Sequence, residues 1–419
     1  MAQVDTSGPM LDAAGVPLKL SLARAERRNR MRALALVLPL LAFILITFVY
    51  PIALMVFRGV DNPTVSEILP ETAEMLRAWD GEGLPGDEIY DSMAREFAAA
   101  AKERSLGKVA TRLNYELAGS RSLVTKAGRN LRRLETEPTK ADLVALDKRW
   151  SQPETWSVMK RLAEPYTLSY YLAAIDKTYN VEGAIVDQPE SRQIYVPLFV
   201  RTLWVSLLIT ALCVLLAYPI AYLMAILPTK TSNLLMILVL LPFWTSLLVR
   251  TSSWIVLLQT EGVLNDILVW TGIIGDDGRI QMIYNMTGTV VAMVHILLPF
   301  MVLPLFSVMK TISPSYMRAA KSLGATPARA FWTVYFPQTI PGIGAGSILV
   351  FILAIGYYIT PALVGGRTGQ LISNFIAYHM QQSLNWGLAA ALGGILLAGV
   401  LALYWLYNRL VGIDNMKLG

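Results

Sequence analysis

Apolar positions along this chain gather into six long stretches with few charges, at residues 33–57, 202–227, 234–258, 286–309, 338–364 and 387–411. The first holds 25 residues without a charged side chain. At a rise of ~1.5 Å per residue such a helix is about 37 Å long, enough to cross a hydrocarbon core of ~30 Å. It is too long for the apolar part of a cleaved leader and lacks a small-residue cleavage site after it, so it is expected to be a retained span. Of the six stretches only the third carries a charge well inside its limits, Arg250. The pattern predicts six membrane helices.

Between the first and second stretches the period changes. Ile89, Met93 and Phe97 recur every four residues, as do Val109, Leu113 and Leu117, which predicts two amphipathic helices with one apolar stripe each. Leu143, Leu146 and Trp150 mark a third short helix, and Leu168, Tyr171, Leu172 and Ile175 a fourth. Turns are expected at 80–86 and at Pro138. Residues 58–195 are therefore expected to form a mostly helical domain inserted between spans 1 and 2.

Charge sharpens this division. Residues 58–195 hold 41 of the chain's 66 charged side chains, 22 of them acidic, while the remaining 281 residues hold 25. That split excludes a single soluble globule and a disordered chain. The loops alternate in sign. Residues 1–32 have a net charge of +3, Lys230 follows span 2, and Lys310, Arg318, Lys321 and Arg329 between spans 4 and 5 have no acid among them. Arg409 and Lys417 oppose Asp414 in the tail. By contrast, residues 58–195 and 259–285 are each −3. Positive loops stay on the cytoplasmic side. A multi-pass chain with both termini cytoplasmic and the 58–195 insert external is expected, with residues 1–32 as a basic cytoplasmic segment and 33–57 as span 1.

Little in the sequence suggests catalysis. The one cysteine, Cys213, excludes an intrachain disulfide. His295 and His379 lack metal-ligand spacing and are expected to be satisfied or lining residues, so no metal site is assigned. Ser105–Lys108 and Ser157–Lys160 match a Ser-x-x-Lys pattern without the companion elements an acyltransferase needs, and no catalytic residue is assigned. Prolines recur in the spans (Pro39, Pro51, Pro219, Pro242, Pro299, Pro304, Pro341 and Pro361), where each frees a carbonyl and favours a kink. Gly342 and Gly346 make a small-x-x-x-small face for close helix packing.

The segment between spans 4 and 5 is the most informative. Ser313-Pro314 opens a short helix predicted over 316–323, Gly324 permits a sharp turn, and a second helix over 328–335 is expected to end at Pro337. Small Ala319 and Ala320, apolar Leu323, Phe331 and Trp332, and a basic rim suit a groove in another protein. The same shape also suits an anionic lipid surface.

Here the chain resembles the permease subunits of binding-protein-dependent ABC importers. Their cytoplasmic signature is Glu-Ala-Ala, three residues, Gly, nine residues, then Ile-x-Leu-Pro. This chain has Ala319-Ala320, Gly324 and Val334-x-Phe336-Pro337 at that spacing, with Arg318 in the glutamate's place. Flanking blocks at 241–246, 249–251, 254–258, 298–304 and 360–366 are similar to the spermidine/putrescine-type branch. The resemblance covers residues from about 195 onward and omits the insert.

The resemblance implies an all-α membrane protein: a six-span type I importer permease bundle, with residues 196–419 as its core. Residues 313–337 would be the ATPase-coupling segment, carried by Arg318, Ala319, Ala320, Leu323, Gly324, Val334, Phe336 and Pro337. The implied partners are two cytoplasmic ATPase subunits, a second permease subunit that is a homologue, a periplasmic solute-binding protein and membrane lipid, with no nucleic acid. The chain has no phosphate-binding Gly-x-x-x-x-Gly-Lys loop of its own, so Mg-ATP would be used by the partner ATPase and no cofactor bound by this chain. The expected location is a bacterial inner membrane.

A polyamine is the first expectation for the solute, with an amino acid, an opine or another small organic solute as alternatives. An ATP-independent channel or carrier is the competing mechanism. Where many polyamine-type relatives place an acid before the Thr-Pro-Ala block, this chain has Gly356-Tyr357-Tyr358. Candidate pathway residues are Trp244, Trp254, Tyr357 and Tyr358, through cation–π contact, and Arg250, which is costly in a membrane unless it faces the bundle. Aromatic packing is the alternative for the four rings, and structural pairing with Glu261 or Asp266 is the alternative for Arg250.

Overall fold

The computed structural model describes residues 18–411 and divides them into two units, 18–57 and 58–411. Asp5, Asp12, Asp414 and Lys417 of the charge pattern lie outside the described residues. The first unit is one long helix, Leu18–Ile44 continuing through Tyr50–Phe57, with a five-residue π turn at Leu45–Val49 between them. The cause is Pro51, whose ring crowds the carbonyl of Thr47 and which has no N–H to offer it; one wider turn absorbs both effects.

The second unit begins with a closed helical domain. Helices Thr64–Ile68, Pro70–Ala78, Asp87–Lys102, Leu106–Glu116, Ser120–Leu131, Lys140–Leu146 and Pro153–Ala163 surround a core that includes Met93, Phe97, Val109, Leu113, Trp150 and Trp156. The first two predicted stripes supply that core, with Ile89 buried and Leu117 packed at its edge. Trp150 sits on the 3-10 turn Lys148–Ser151, where its carbonyl accepts hydrogen bonds from Tyr90 Oη (2.7 Å) and Trp156 Nε1 (2.8 Å). The domain's two ends meet: Asn62 N donates to Pro165 O (2.9 Å) and Thr167 N to Val60 O (2.8 Å).

The fourth predicted stripe behaves differently. Leu168 and Ile175 are exposed, whereas Tyr170, Tyr171, Ala173 and Ala174 on helix Ser169–Ala174 pack with Tyr195, Leu198, Leu388 and Leu392. Residues 169–195 thus bridge the two parts. Their rings pack on the membrane bundle, while Val181 O accepts from Ser157 Oγ (2.7 Å) and Asn180 O from Arg161 Nη1 (3.3 Å) of the helical domain, whose own core closes within 62–165. A two-stranded antiparallel ribbon, Lys177–Tyr179 with Ile185–Asp187, is the one strand pairing in an otherwise helical chain among the described residues.

Five described helices are long and apolar enough to cross a membrane, and a bent helix pair raises the number to six. Tyr195–Ile226, Met286–Thr311 and the helix running from 327 to 356 pack on one another around Ile209, Cys213, Leu297, Met301 and Val350. The start of Tyr195–Ile226 is fixed by Asp176, a buried residue at φ +58°, whose carboxylate accepts from the backbone N–H groups of Ile194, Tyr195 and Val196 at 2.8–3.1 Å. These are donors that a helix start leaves without intrahelical partners. Gly342 and Gly346 lie against helix Met286–Thr311; a Cβ on Gly346 would stand 2.6 Å from Met301 Sδ.

Two spans depart from the straight helices expected. The third is broken at 241–246, where Thr229–Leu240 leads through a 3-10 turn, Leu241–Trp244, into Leu247–Leu258 with a bend of 97°. Pro242 cannot continue the ladder, and Ser246 Oγ caps the new helix by accepting from Val249 N (3.2 Å). The fifth ends at Gly356 rather than 364, and Ile359–Val364 is a separate short helix. Tyr357 turns to extended backbone (ψ 128°), which ends the ladder, and Pro361 sits in the first turn of the new helix, where its missing N–H has no intrahelical partner to lose.

Candidate functional site

At the end of the bundle opposite the helical domain, the chain between spans 4 and 5 folds into a bracket. Ser313 Oγ accepts from Ser315 N (3.3 Å), Pro314 takes the first helical position, and the helix runs Pro314–Ser322. Gly324, at φ +88°, closes it. Ala325 N donates to Ala320 O (3.1 Å) and Gly324 N to Lys321 O (3.0 Å), the paired bonds of a Schellman stop that favours glycine at this position. Thr326 Oγ1 then accepts from Arg329 N (3.3 Å), and Pro327 opens the next helix.

That second helix does not end at Pro337. It continues through a π turn, Phe331–Tyr335, into Phe336–Gly356. Pro337 would crowd the carbonyl of Thr333, and the wide turn just before it relieves the clash without stopping the helix, as at Pro51. The turn is held by rings: Phe331 packs edge-on against Tyr218 and Tyr222 and stacks on Tyr335 at 5.7 Å. Phe331 is thus bound within its own subunit and is not one of the free apolar anchors.

What the bracket leaves exposed is compact. Leu323 at its tip is 90% exposed, Trp332 61% and Tyr316 53%, with Arg318, Ala319, Gly324 and Pro337 also exposed. Ala320, Val334 and Phe336 are half-buried. Arg318, Lys321 and Arg329 rim the surface, and residues 310–337 contain no acid. An apolar tip inside a basic rim can dock in a groove of another protein, and a rigid helix can pass movement of that tip to the bundle.

The five pathway candidates occupy different settings. Trp244 projects from the break in span 3, 74% exposed. Trp254 is half-buried and donates through Nε1 to His295 Nδ1 (3.1 Å). Arg250 is half-buried, and its Nε is buried without a hydrogen-bond partner. Neither acid expected to pair with Arg250 does so: Asp266 binds Arg279 at 2.8 Å, and Glu261 forms no ion pair among the described residues. Tyr357 and Tyr358 occupy the break after span 5, where Tyr358 O accepts from Asn374 Nδ2 (2.7 Å). Tyr358 lines a concavity of about 460 Å³ with Gln370, Asn374, Tyr378, Gln381 and Gln382. That polar group escaped the sequence reading, although an amide cluster between two apolar stretches signals it. His379, the second histidine, is satisfied: Nε2 lies 2.9 Å from Tyr195 Oη and Nδ1 2.8 Å from Ser383 Oγ.

Broken and kinked spans around a mutually packed core, with a basic bracket at one end, define a multi-pass membrane transport component. Residues 192–411 match the family model of the binding-protein-dependent transport system inner membrane component, and the chain belongs to that family. It is 35% identical over 221 residues to the spermidine/putrescine transport system permease protein PotB of Escherichia coli, covering 52% of this chain and 80% of that protein. The Haemophilus influenzae PotB is 35% identical over 222 residues, covering 51% and 77%. Among solved structures, a bacterial ABC transporter that imports the acidic polysaccharide alginate aligns with a TM-score of 0.43 and 16% identity, over 55% of this chain and 81% of that one.

Proposed function

We propose that this chain is a permease subunit of an ATP-driven importer and moves a polyamine-type solute into the cytoplasm by alternating access. Family membership supports the permease role, and the two PotB relatives support the solute class. The exposed bracket at 313–337, closed by the Schellman turn at Gly324, carries the coupling assignment. In this reading Leu323 and the small Ala319–Ala320 face enter a cleft in one of two cytoplasmic ATPase subunits. Arg318, Lys321 and Arg329 meet acidic groups on its rim. Those subunits bind and hydrolyse Mg-ATP. A homologous second permease completes the pathway, and a periplasmic binding protein delivers solute at the end bearing the helical domain.

The mechanics follow from the fold. Because the segment from 327 to 356 is one helix, closure of the ATPase pair acts directly on span 5, and through Phe331, Tyr218 and Tyr222 on span 2. The basic loops support a cytoplasmic position for both termini and the bracket. Among the described residues no acid occurs in 33–57, 195–226, 229–258, 286–311, 327–356 or 386–409, leaving ring faces and amide oxygens, such as those around Tyr358, to receive ammonium groups.

Leu323→Asp tests the docking without disturbing the fold, since the side chain is almost fully exposed. It is expected to strip the ATPase from purified complexes and to abolish uptake of labelled putrescine and spermidine in cells. A stable complex with normal transport-stimulated ATP hydrolysis would overturn the assignment. Uptake of an amino acid in place of both polyamines would move the solute class.

A further inference from the structure

Arg250 is the one ionised side chain well inside any described span, and among the described residues it forms no ion pair. No acid occurs in residues 33–57, 195–226, 229–258, 286–311, 327–356 or 386–409. Its Nε is buried without a partner. The residue lies in the first turn of Leu247–Leu258, where the helix dipole is also positive, so the local field compounds the unpaired charge. This helix starts at the break in span 3, and Thr251 Oγ1 lies 3.3 Å from Thr360 Oγ1 on the short helix after the break in span 5. Trp254, one turn further along this helix, and His295 on span 4 bond each other, and neither carries an acid to offer. A guanidinium placed this way in a low-dielectric setting calls for a carboxylate from outside the chain.

We infer that Arg250 is one half of an ion pair between permease subunits, its carboxylate supplied by a membrane span of the second permease. Arg250 is only half-buried, so its guanidinium stays within reach of a neighbouring subunit. The inference rests on the two-permease reading above. It rests also on the solute class proposed above, since a cationic solute cannot be the missing counter-ion and the acid then belongs to protein.

The test uses the intact importer, purified with its second permease and without solute or ATP, so that an error in the solute class leaves the result standing. Arg250→Met is expected to lower the second permease retained on purification by about tenfold, because a buried carboxylate is left without its counter-ion. Arg250→Lys is expected to retain most of it. In the Arg250→Met background, one Asp→Asn or Glu→Gln exchange in the second permease's spans restores retention. Should the methionine variant fail to accumulate, Arg250→Gln with the same exchanges decides in the same way. Full retention in Arg250→Met with a raised KM for uptake would overturn the inference and assign the anion to the solute. Failure of every exchange to restore retention would overturn it also.

Discussion

Single residues fix the two ends of the bundle. At the end that carries the helical domain, the Asp176 carboxylate holds three backbone N–H groups at the start of a 32-residue helix. Replacing it with Ala leaves buried donors unpaired, at a cost of about 1–3 kcal/mol. Asp176→Ala is therefore expected to lower the thermal midpoint of the purified complex, and Asp176→Asn to lower it less because its oxygen still accepts. At the other end Gly324 was legible from sequence, since a glycine between two short amphipathic runs needs little more than a left-handed stop. Asp176 was not. Its partners follow 18 to 20 residues later, beyond a ribbon that no periodicity announced.

Elements show where proline rules succeed and where they fail. The prolines were legible; their consequences were not. Pro337 resembles a helix stop because it breaks the hydrogen-bond ladder, yet one π turn held by Phe331 and Tyr335 carries the helix past it. Pro242 acts in the opposite sense, and a window of mean hydropathy over 234–258 passes straight across the bend it makes. The helix Ile372–Gln381 between spans 5 and 6 supplies a pH dependence. Burial holds the His379 imidazole at about 4, below the usual ~6.5, with Tyr195 Oη and Ser383 Oγ on its two nitrogens. The unfolded chain takes up that proton first, so the contribution to stability is complete above pH ~6.5 and falls as pH drops toward 4. The thermal midpoint is expected to fall across that window in the native complex and to fall less in His379→Gln.

At the scale of the whole molecule, the charge split seen in the sequence corresponds to separate cores: one within the helical domain and two among the membrane helices, the second of them where residues 169–195 pack. Charge density marked the insert but not its limits, because residues 169–195 are polar in composition while their rings pack on the bundle: Tyr170 against Gly387 and Tyr171 against Gly394. Since the domain's ends meet at Asn62 and Pro165, excising 63–164 with a short Gly-Ser bridge is expected to leave an assembled membrane core. Co-purification of the second permease and the ATPase with the excised chain measures it.

The central claim is that this chain moves solute only when a docked ATPase drives it. Flux of labelled putrescine and spermidine into proteoliposomes tests this directly, comparing the complete importer, the importer with Leu323→Asp, and this chain alone. The account predicts uptake that requires ATP and the binding protein, is absent from the chain alone, and is lost with Leu323→Asp. Flux through the chain alone, without ATP, would contradict it.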